Sequence, residues 1–220
     1  MLVAGRRWMP NVAATGSRPR GTRWNSANKT ANMILSGTPA RTASSSFVGP
    51  PLQAVRAAQS RNIGKRYFEI TMVDPGDFVW GAGIMDNSAF PAGNPAGIDD
   101  AKGVSFSQDA INNEVFLWAQ NAGASFNLGT TPYVGGDVLG FACDLSNRLL
   151  WLSRNGTFLN GNPSTPTGGI SWGTSSGAVM YPAFFANINT AGTATATINS
   201  GSSTFAGALP ASYSAWGGND

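Results

Sequence analysis

The amino-acid sequence predicts an all-β protein, an antiparallel β-sandwich that carries an extended basic N-terminal arm. Three observations predict it. Short hydrophobic runs, several alternating with period two, recur along the chain with no long helical pattern between them. The 220 residues include 28 glycines and 13 prolines, the residues that tight turns between closely spaced strands require. Charge is sparse: 11% of residues are charged, against about 25% in ordinary globular domains. Hydrophobic residues, at 42%, are ample for a core.

The arm comes first. Residues 1–21 are rich in Arg, Gly, Ala and Pro (Arg18-Pro-Arg-Gly21) and show neither period, so we read an extended segment there and one domain over 22–220. The pattern changes at Trp24. Met33-Ile-Leu35, ended by Ser36-Gly37, reads as a strand. Ser44-Ser-Ser46 and Pro50-Pro51 read as punctuation, and Leu52–Ala58 as a short helical turn. In Arg66–Met72 the side chains of Phe68, Ile70 and Met72 point one way and those of Tyr67, Glu69 and Thr71 the other. One buried face is expected, with Glu69 facing solvent. Phe78–Ile84 is a second strand whose glycines signal twist or close approach of another backbone. Residues 86–103 read as a loop, Val104–Phe106 and Glu114–Trp118 as strands.

Gly135-Gly136-Asp137 turns into the strand Val138–Asp144, and Leu149–Leu152 follows. Alternation places Phe141 and Trp151 in the core on one side of these two strands. Asn155-Gly156 is a two-residue hairpin turn, because both residues tolerate positive φ. Tyr181–Ala186 and Thr193–Ile198 complete the set.

The net charge of +3 conceals a split. The first 66 residues hold eleven bases and no acid. The remaining 154 hold three bases (Lys102, Arg148, Arg154) and all eleven acids, which is +11 against −8. Such asymmetry fits an arm docking on an acidic neighbour, a match within the molecule, or a nucleic-acid contact. The last is disfavoured, since the bases are scattered among Pro, Gly and Ala and no nucleic-acid motif is present. A surface this poor in charge suits a protein held at high local density, so homo-oligomerisation is favoured. No stretch approaches the roughly 18 apolar residues of a membrane span. The opening Met1–Trp8 places its charges after its short apolar run, unlike a signal peptide, so a soluble chain outside the general secretory route is expected.

Chemistry is hard to build from these residues. There is no histidine and one cysteine, Cys143, which removes the Ser-His-Asp triad and the thiolate zinc site. Cys143 reads as a small buried hydrophobe. No phosphate-binding loop is present, because Gly161-Asn-Pro-Ser-Thr165 lacks the Gly-Lys-Ser/Thr ending. A glycosidase needs two carboxylates across a sugar bond, and the only glutamates are Glu69 and Glu114. Asp99-Asp100, with Asp86 or Asn87, offers oxygen ligands for calcium, without the EF-hand spacing. No cofactor or metal is expected.

Several segments together resemble one family. Gly136–Leu145 followed by Leu150–Phe158 resembles the signature half of SPRY domains, in which a Gly-Asp turn opens a strand, an Asp ends it, and the next strand closes on Asn-Gly. Gly64-Lys-Arg-Tyr-Phe-Glu-Ile70, Val79–Ile84, Tyr181–Phe185 and Thr197–Gly201 match other strands of the family in order. The likeness spans about residues 24–216. Trp24–Lys29 with Met33–Ser36, Gly156–Pro163 with Gly168-Gly169, and the close from Phe205 to Trp216 through Leu209-Pro210 resemble the form found in bacteriophage proteins. The RING, coiled-coil and ankyrin partners of cellular members are not seen.

The resemblance implies a non-enzymatic virion protein of a tail tip, fibre or baseplate, or else a decoration of the head, with a free peptide-binding adaptor as the alternative and a glycan-cleaving enzyme least favoured. It also implies binding through loops at one end of the sandwich: 86–102, 120–134 and 160–176. These hold Asn87, Asn94, Asp99, Asp100, Asn121, Asn127, Tyr133, Asn162 and Trp172, whose amides, carboxylates and aromatic rings suit a host-surface glycan or protein. Arg6, Arg7, Trp8, Arg18 and Arg20 would dock the arm on other virion proteins, Trp8 as an apolar anchor among arginines.

Overall fold

The computed structural model describes residues 21–49, 52–74, 78–86, 103–109, 114–119, 124–129, 133–172, 178–188 and 192–218. The docking-arm residues Arg6, Arg7, Trp8, Arg18 and Arg20 lie outside them. The described residues contain strands and no helix. In chain order these are β1 (Trp24–Lys29), β2 (Ile34–Ser36), β3 (Thr42–Ser45), β4 (Gln53–Ala57), β5 (Lys65–Asp74), β6 (Phe78–Asp86), β7 (Gly103–Asp109) and β8 (Glu114–Ala119). Then come β9 (Ala124–Gly129), β10 (Val138–Asp144), β11 (Leu149–Arg154), β12 (Thr157–Phe158), β13 (Ile170–Ser171), β14 (Met180–Ile188), β15 (Ala194–Asn199) and β16 (Ser214–Ala215).

Two sheets face each other. One runs β1-β4-β14-β6-β7-β8-β9, and the other β12-β11-β10-β5-β15-β3-β2, with β13 beside β11 and β16 beside β5. The pairings are antiparallel except that of β16 with β5. Phe68, Ile70, Phe141, Leu150, Leu152 and Ile198 from the second sheet meet Val55, Ala82, Ile84, Phe106 and Phe184 from the first in one buried cluster. Phe68 and Phe141 stack at 4.7 Å. Cys143 is fully buried, as expected, and burial pushes its thiol well up.

The glycines of β6 serve close approach. A Cβ on Gly81 would lie 2.2 Å from the Phe185 ring, and one on Gly83 would lie 2.1 Å from the Val104 carbonyl oxygen. Asn155 and Gly156 take φ of 51° and 84°, the mirror-image turn predicted for this hairpin, and Arg154 pairs with Thr157 across it.

Four expectations are corrected. Leu52–Ala58 is no helical turn: β4 lies between β1 and β14 and is buried throughout, and tertiary pairing overrides the helix-forming Gln, Ala and Arg of this stretch. Ser44-Ser45 is not punctuation but the end of β3, where Ala43 and Ser45 turn inward. Small side chains suit the close sheet contact there, although their polarity hid it. Glu69 does not face solvent; it is 3% exposed. Trp151 and Phe141 are both core but on opposite faces, because Phe141 pairs with Leu152 and Trp151 with Ala142. Leu149-Leu-Trp-Leu152 is apolar throughout, so it carries no parity of its own.

Around β5, β10 and β11 the second sheet is therefore buried on both sides. Tyr67, Ala142, Trp151 and Tyr213 form a smaller cluster on its outer face, with Phe158 and Phe205 against it. Trp151→Ala should cost about 3–5 kcal/mol in chemical denaturation, as large-to-small core changes do. It should also speed hydrogen exchange at the Ala206 and Gly207 amides. Phe141→Ala, with a similar cost, should leave those two amides protected relative to the rest of the molecule.

Candidate functional site

Strand direction decides which connections meet. β4, β6, β8 and β10 end, and β5, β11 and β14 begin, at one end of the sandwich, named here for Met180. The connections 58–64, 87–102, 120–123, 145–148 and 172–179 therefore all join strands there. The longest of them, 87–102, carries Asn87, Asn94, Asp99 and Asp100 of the predicted set, and 120–123 carries Asn121. These five residues lie outside the described ones. Long connections on a rigid sheet scaffold are where binding concentrates.

Described segments tie this end into one rim. Arg61 and Met180 exchange backbone hydrogen bonds of 2.9 and 2.7 Å. The Leu145 N–H donates to the Gly64 carbonyl at 3.0 Å, and the Gly64 N–H to Ser146 Oγ at 3.1 Å. The Trp172 N–H donates to the Arg148 carbonyl at 3.2 Å. On this rim Ile63 is 65% exposed and Val179 38% exposed. The sequence reading missed both. A single apolar residue beside a glycine or at the head of a strand reads as ordinary strand, so no local signal marked them.

The other predicted residues are scattered. Tyr133 is buried at the opposite end, edge-on to Phe106 at 4.8 Å, with the Arg154 guanidinium 4.4 Å over its ring. Trp172 is buried in the main core. Neither is a loop aromatic available for stacking. Asn127 sits within β9, opposite Phe116, because β9 interrupts the predicted loop 120–134. Asn162 is exposed, but its Oδ1 accepts the Ser164 N–H at 2.9 Å, which shapes a turn. In the same excursion Asn160 spans β11. It accepts the Leu152 N–H at 2.8 Å and donates to the Leu150 and Gly168 carbonyls at 3.0 and 3.1 Å, standing in for a strand.

The described carboxylates hold structure. Glu69 accepts the Ala206 and Gly207 N–H groups, both at 2.9 Å, and the Tyr67 hydroxyl at 3.1 Å. Burial and the Glu69 charge push the Tyr67 hydroxyl up. Asp144 accepts both the backbone and the side-chain N–H of Asn147, at 3.0 and 2.9 Å, closing the β10–β11 turn. Asp137 accepts the Val134 N–H at 2.9 Å, Asn155 Nδ2 at 2.7 Å and Arg154 Nη2 at 2.6 Å. Burial alone would raise its carboxyl, but these three donors and the Arg154 charge more than reverse that, so it lies below the usual value. Among the described residues no three His, Cys, Asp or Glu side chains cluster to hold a metal ion.

By sequence the chain matches no family model and no curated protein. Solved structures do resemble it. The SPRY domain of human HERC1 aligns over 80% of this chain and 96% of its own, with a TM-score of 0.57 and 11% identity. The TRIM65 PSpry domain aligns over 82% of this chain and 92% of its own, with a TM-score of 0.54 and 19% identity.

The fold is SPRY-like. Within this SPRY-like sandwich the segments that carried the resemblance fall on named strands. Gly64–Ile70 leads into β5 and Val79–Ile84 lies in β6. Gly136–Leu145 is the turn and β10, and Leu150–Phe158 is the β11–β12 hairpin.

Asp137 generates a pH prediction. A carboxyl held low in the folded state adds stability that is complete above about pH 4 and is lost as pH falls through the folded value. Asp137→Asn should be less stable than the parent at neutral pH. Its melting temperature should also fall less steeply between pH 4 and pH 2, on the order of the unperturbed carboxylate range.

Proposed function

We propose that this chain is a non-enzymatic binding protein of a bacteriophage particle, a component of a tail tip, fibre or baseplate, that contacts its target through the Met180 end of the sandwich. The observation that carries the binding reading is the pair Ile63 and Val179, exposed apolar residues on a rim pinned by backbone hydrogen bonds. The longest connection in the chain and most of the predicted amide and carboxylate residues attach at the same end. A target there would be a host-surface protein or glycan. The phage reading is supported by the sequence segments Trp24–Lys29, Gly156–Pro163 and Phe205–Trp216.

Catalysis is disfavoured because Glu69, one of the two glutamates, spends both carboxylate oxygens on the C-terminal segment. The second reading, a free peptide-binding adaptor, is favoured by the SPRY-like fold itself.

Two experiments test the proposal. Ile63→Asp combined with Val179→Asp should leave the melting temperature nearly unchanged, as surface changes do, and abolish binding to host cells. Normal binding by that folded variant would place the contact elsewhere. Purified particles should contain the chain, and deleting residues 2–20 should prevent its incorporation without changing the melting temperature of the sandwich. A chain missing from purified particles sinks the virion reading, and normal incorporation of the truncated chain sinks the docking role of the arm.

A further inference from the structure

A cleft of about 670 Å³ opens between the start of β1, the turn from β2 to β3, and the residues that follow β4. Thr22, Arg23, Thr38, Pro39, Arg41 and Gln59 line it. Its walls are fixed. The Trp24 N–H donates to the Ala40 carbonyl at 2.9 Å, the Ala58 N–H to the Arg23 carbonyl at 2.8 Å, and the Ile198 N–H to the Arg41 carbonyl at 3.0 Å. The Gln59 N–H donates to Thr22 Oγ1 at 3.0 Å, and Trp216 Nε1 to the Gln59 carbonyl at 3.0 Å.

Two arginines line this cleft with guanidinium N–H groups that have no partner among the described residues. Arg41 Nε is buried and makes no hydrogen bond, and Arg23 stands exposed with no side-chain bond or ion pair among the described residues. The Nε atoms of Arg56 and Arg66 are also buried without a hydrogen bond, but arginines outside the cleft are engaged through their side chains. Arg56 holds Asn28 and covers the Tyr181 ring, Arg61 holds the Trp216 and Gly218 carbonyls, and Arg154 holds Asp137. A buried guanidinium N–H is costly to leave unpaired, and its best partner is a carboxylate or phosphate taken in fork geometry. Among the described residues no uncommitted carboxylate stands beside Arg23 or Arg41. Glu69, which lines a neighbouring pocket with Arg41, is held by Ala206, Gly207 and Tyr67. The chain's first 66 residues contain no acid, and Asp137 and Asp144 are committed elsewhere.

We propose that this cleft docks an acidic peptide segment of a partner protein, with one carboxylate held between Arg23 and Arg41. Pro39, Ala58 and the Thr38 methyl receive the stem of the acidic side chain, and the Thr38 hydroxyl and the Gln59 side-chain amide supply polar groups for its backbone. The described lining holds no aromatic ring to stack a base, and its two cations make no track for a phosphate backbone, which favours a peptide over a nucleic acid. The cleft shares no residue with the Ile63–Val179 rim, and the inference does not depend on the virion reading.

The test is an NMR titration of the full chain with three probes at matched ionic strength. These are the capped peptide acetyl-Ala-Glu-Ala-Glu-Ala-amide, its glutamine counterpart, and inorganic phosphate. The glutamate peptide should shift the amides of Thr22, Arg23 and Gln59 and the Arg41 Nε–H resonance saturably, and more weakly as salt is raised. R23Q and R41Q should each raise its Kd by about tenfold or more, while K29Q, outside the cleft, leaves it unchanged. Arg23 is exposed, so R23Q keeps the fold even if R41Q disturbs it. The proposal is overturned if the glutamate peptide gives no saturable shift, or if the glutamine peptide shifts the same residues equally. It is also overturned if phosphate binds as tightly as the glutamate peptide, or if folded R23Q binds like the parent.

Discussion

Glu69 sits on the outer face of the second sheet, where water would ordinarily be, and its carboxylate receives two backbone N–H groups and a tyrosine hydroxyl. Much of the molecule is arranged around that contact. A buried carboxylate is tolerable only when its lone pairs are filled by donors, and the donors here come from a segment that crosses the sheet. With 205–216 held in place, Tyr67, Trp151 and Tyr213 become a second core instead of exposed aromatics. Gly207 allows the fit. A Cβ there would lie 3.0 Å from the Gly156 Cα and 3.2 Å from the Tyr67 hydroxyl oxygen.

The same segment then passes around β5. β16 runs parallel to β5, pairing Ser214 with Arg66 and Ala215 with Tyr67, and Trp216 enters the main core edge-on to Phe68 at 5.4 Å. Gly217 presses against Gly21, where a Cβ would lie 2.6 Å from the Gly21 Cα. Both ends of the described chain therefore meet at one place. Arg61 grips the Trp216 and Gly218 carbonyls by its side chain and Met180 by its backbone. The exposed rim and the arginine cleft are both built on this closure, so the shape of both surfaces depends on the C-terminal wrap.

Sparse charge takes on a meaning in this arrangement. Glu69, Asp137 and Asp144 each satisfy backbone or amide donors at a turn or a crossing segment. These three carboxylates are thereby committed to holding the fold. Two cations of the acid-free part of the sequence, Arg23 and Arg41, have no counter-charge among the described residues.

Local rules sufficed for what is locally decided. The Asn155-Gly156 turn, the inward set Phe68, Ile70 and Met72 of β5 and the need for glycine at Gly81 and Gly83 were legible in the sequence because each depends on a residue's own backbone freedom or on its immediate neighbours. The order of the SPRY-like segments carried the fold for the same reason. What the sequence could not show was which faces are covered from afar. Glu69 reads as a solvent-facing residue until a segment 137 residues further along lies over it, and Trp151 reads as a neighbour of Phe141 until the register places it opposite Ala142. Tyr133 and Trp172 read as loop aromatics, yet both are buried in the core. Ser45 and the residues of β4 look like turn and helix, but flanking strands bury them. Burial on a second face, and the meeting of Gly21 with Gly217, arise only when distant segments pack, because pairing and desolvation belong to contacts and not to residues taken singly.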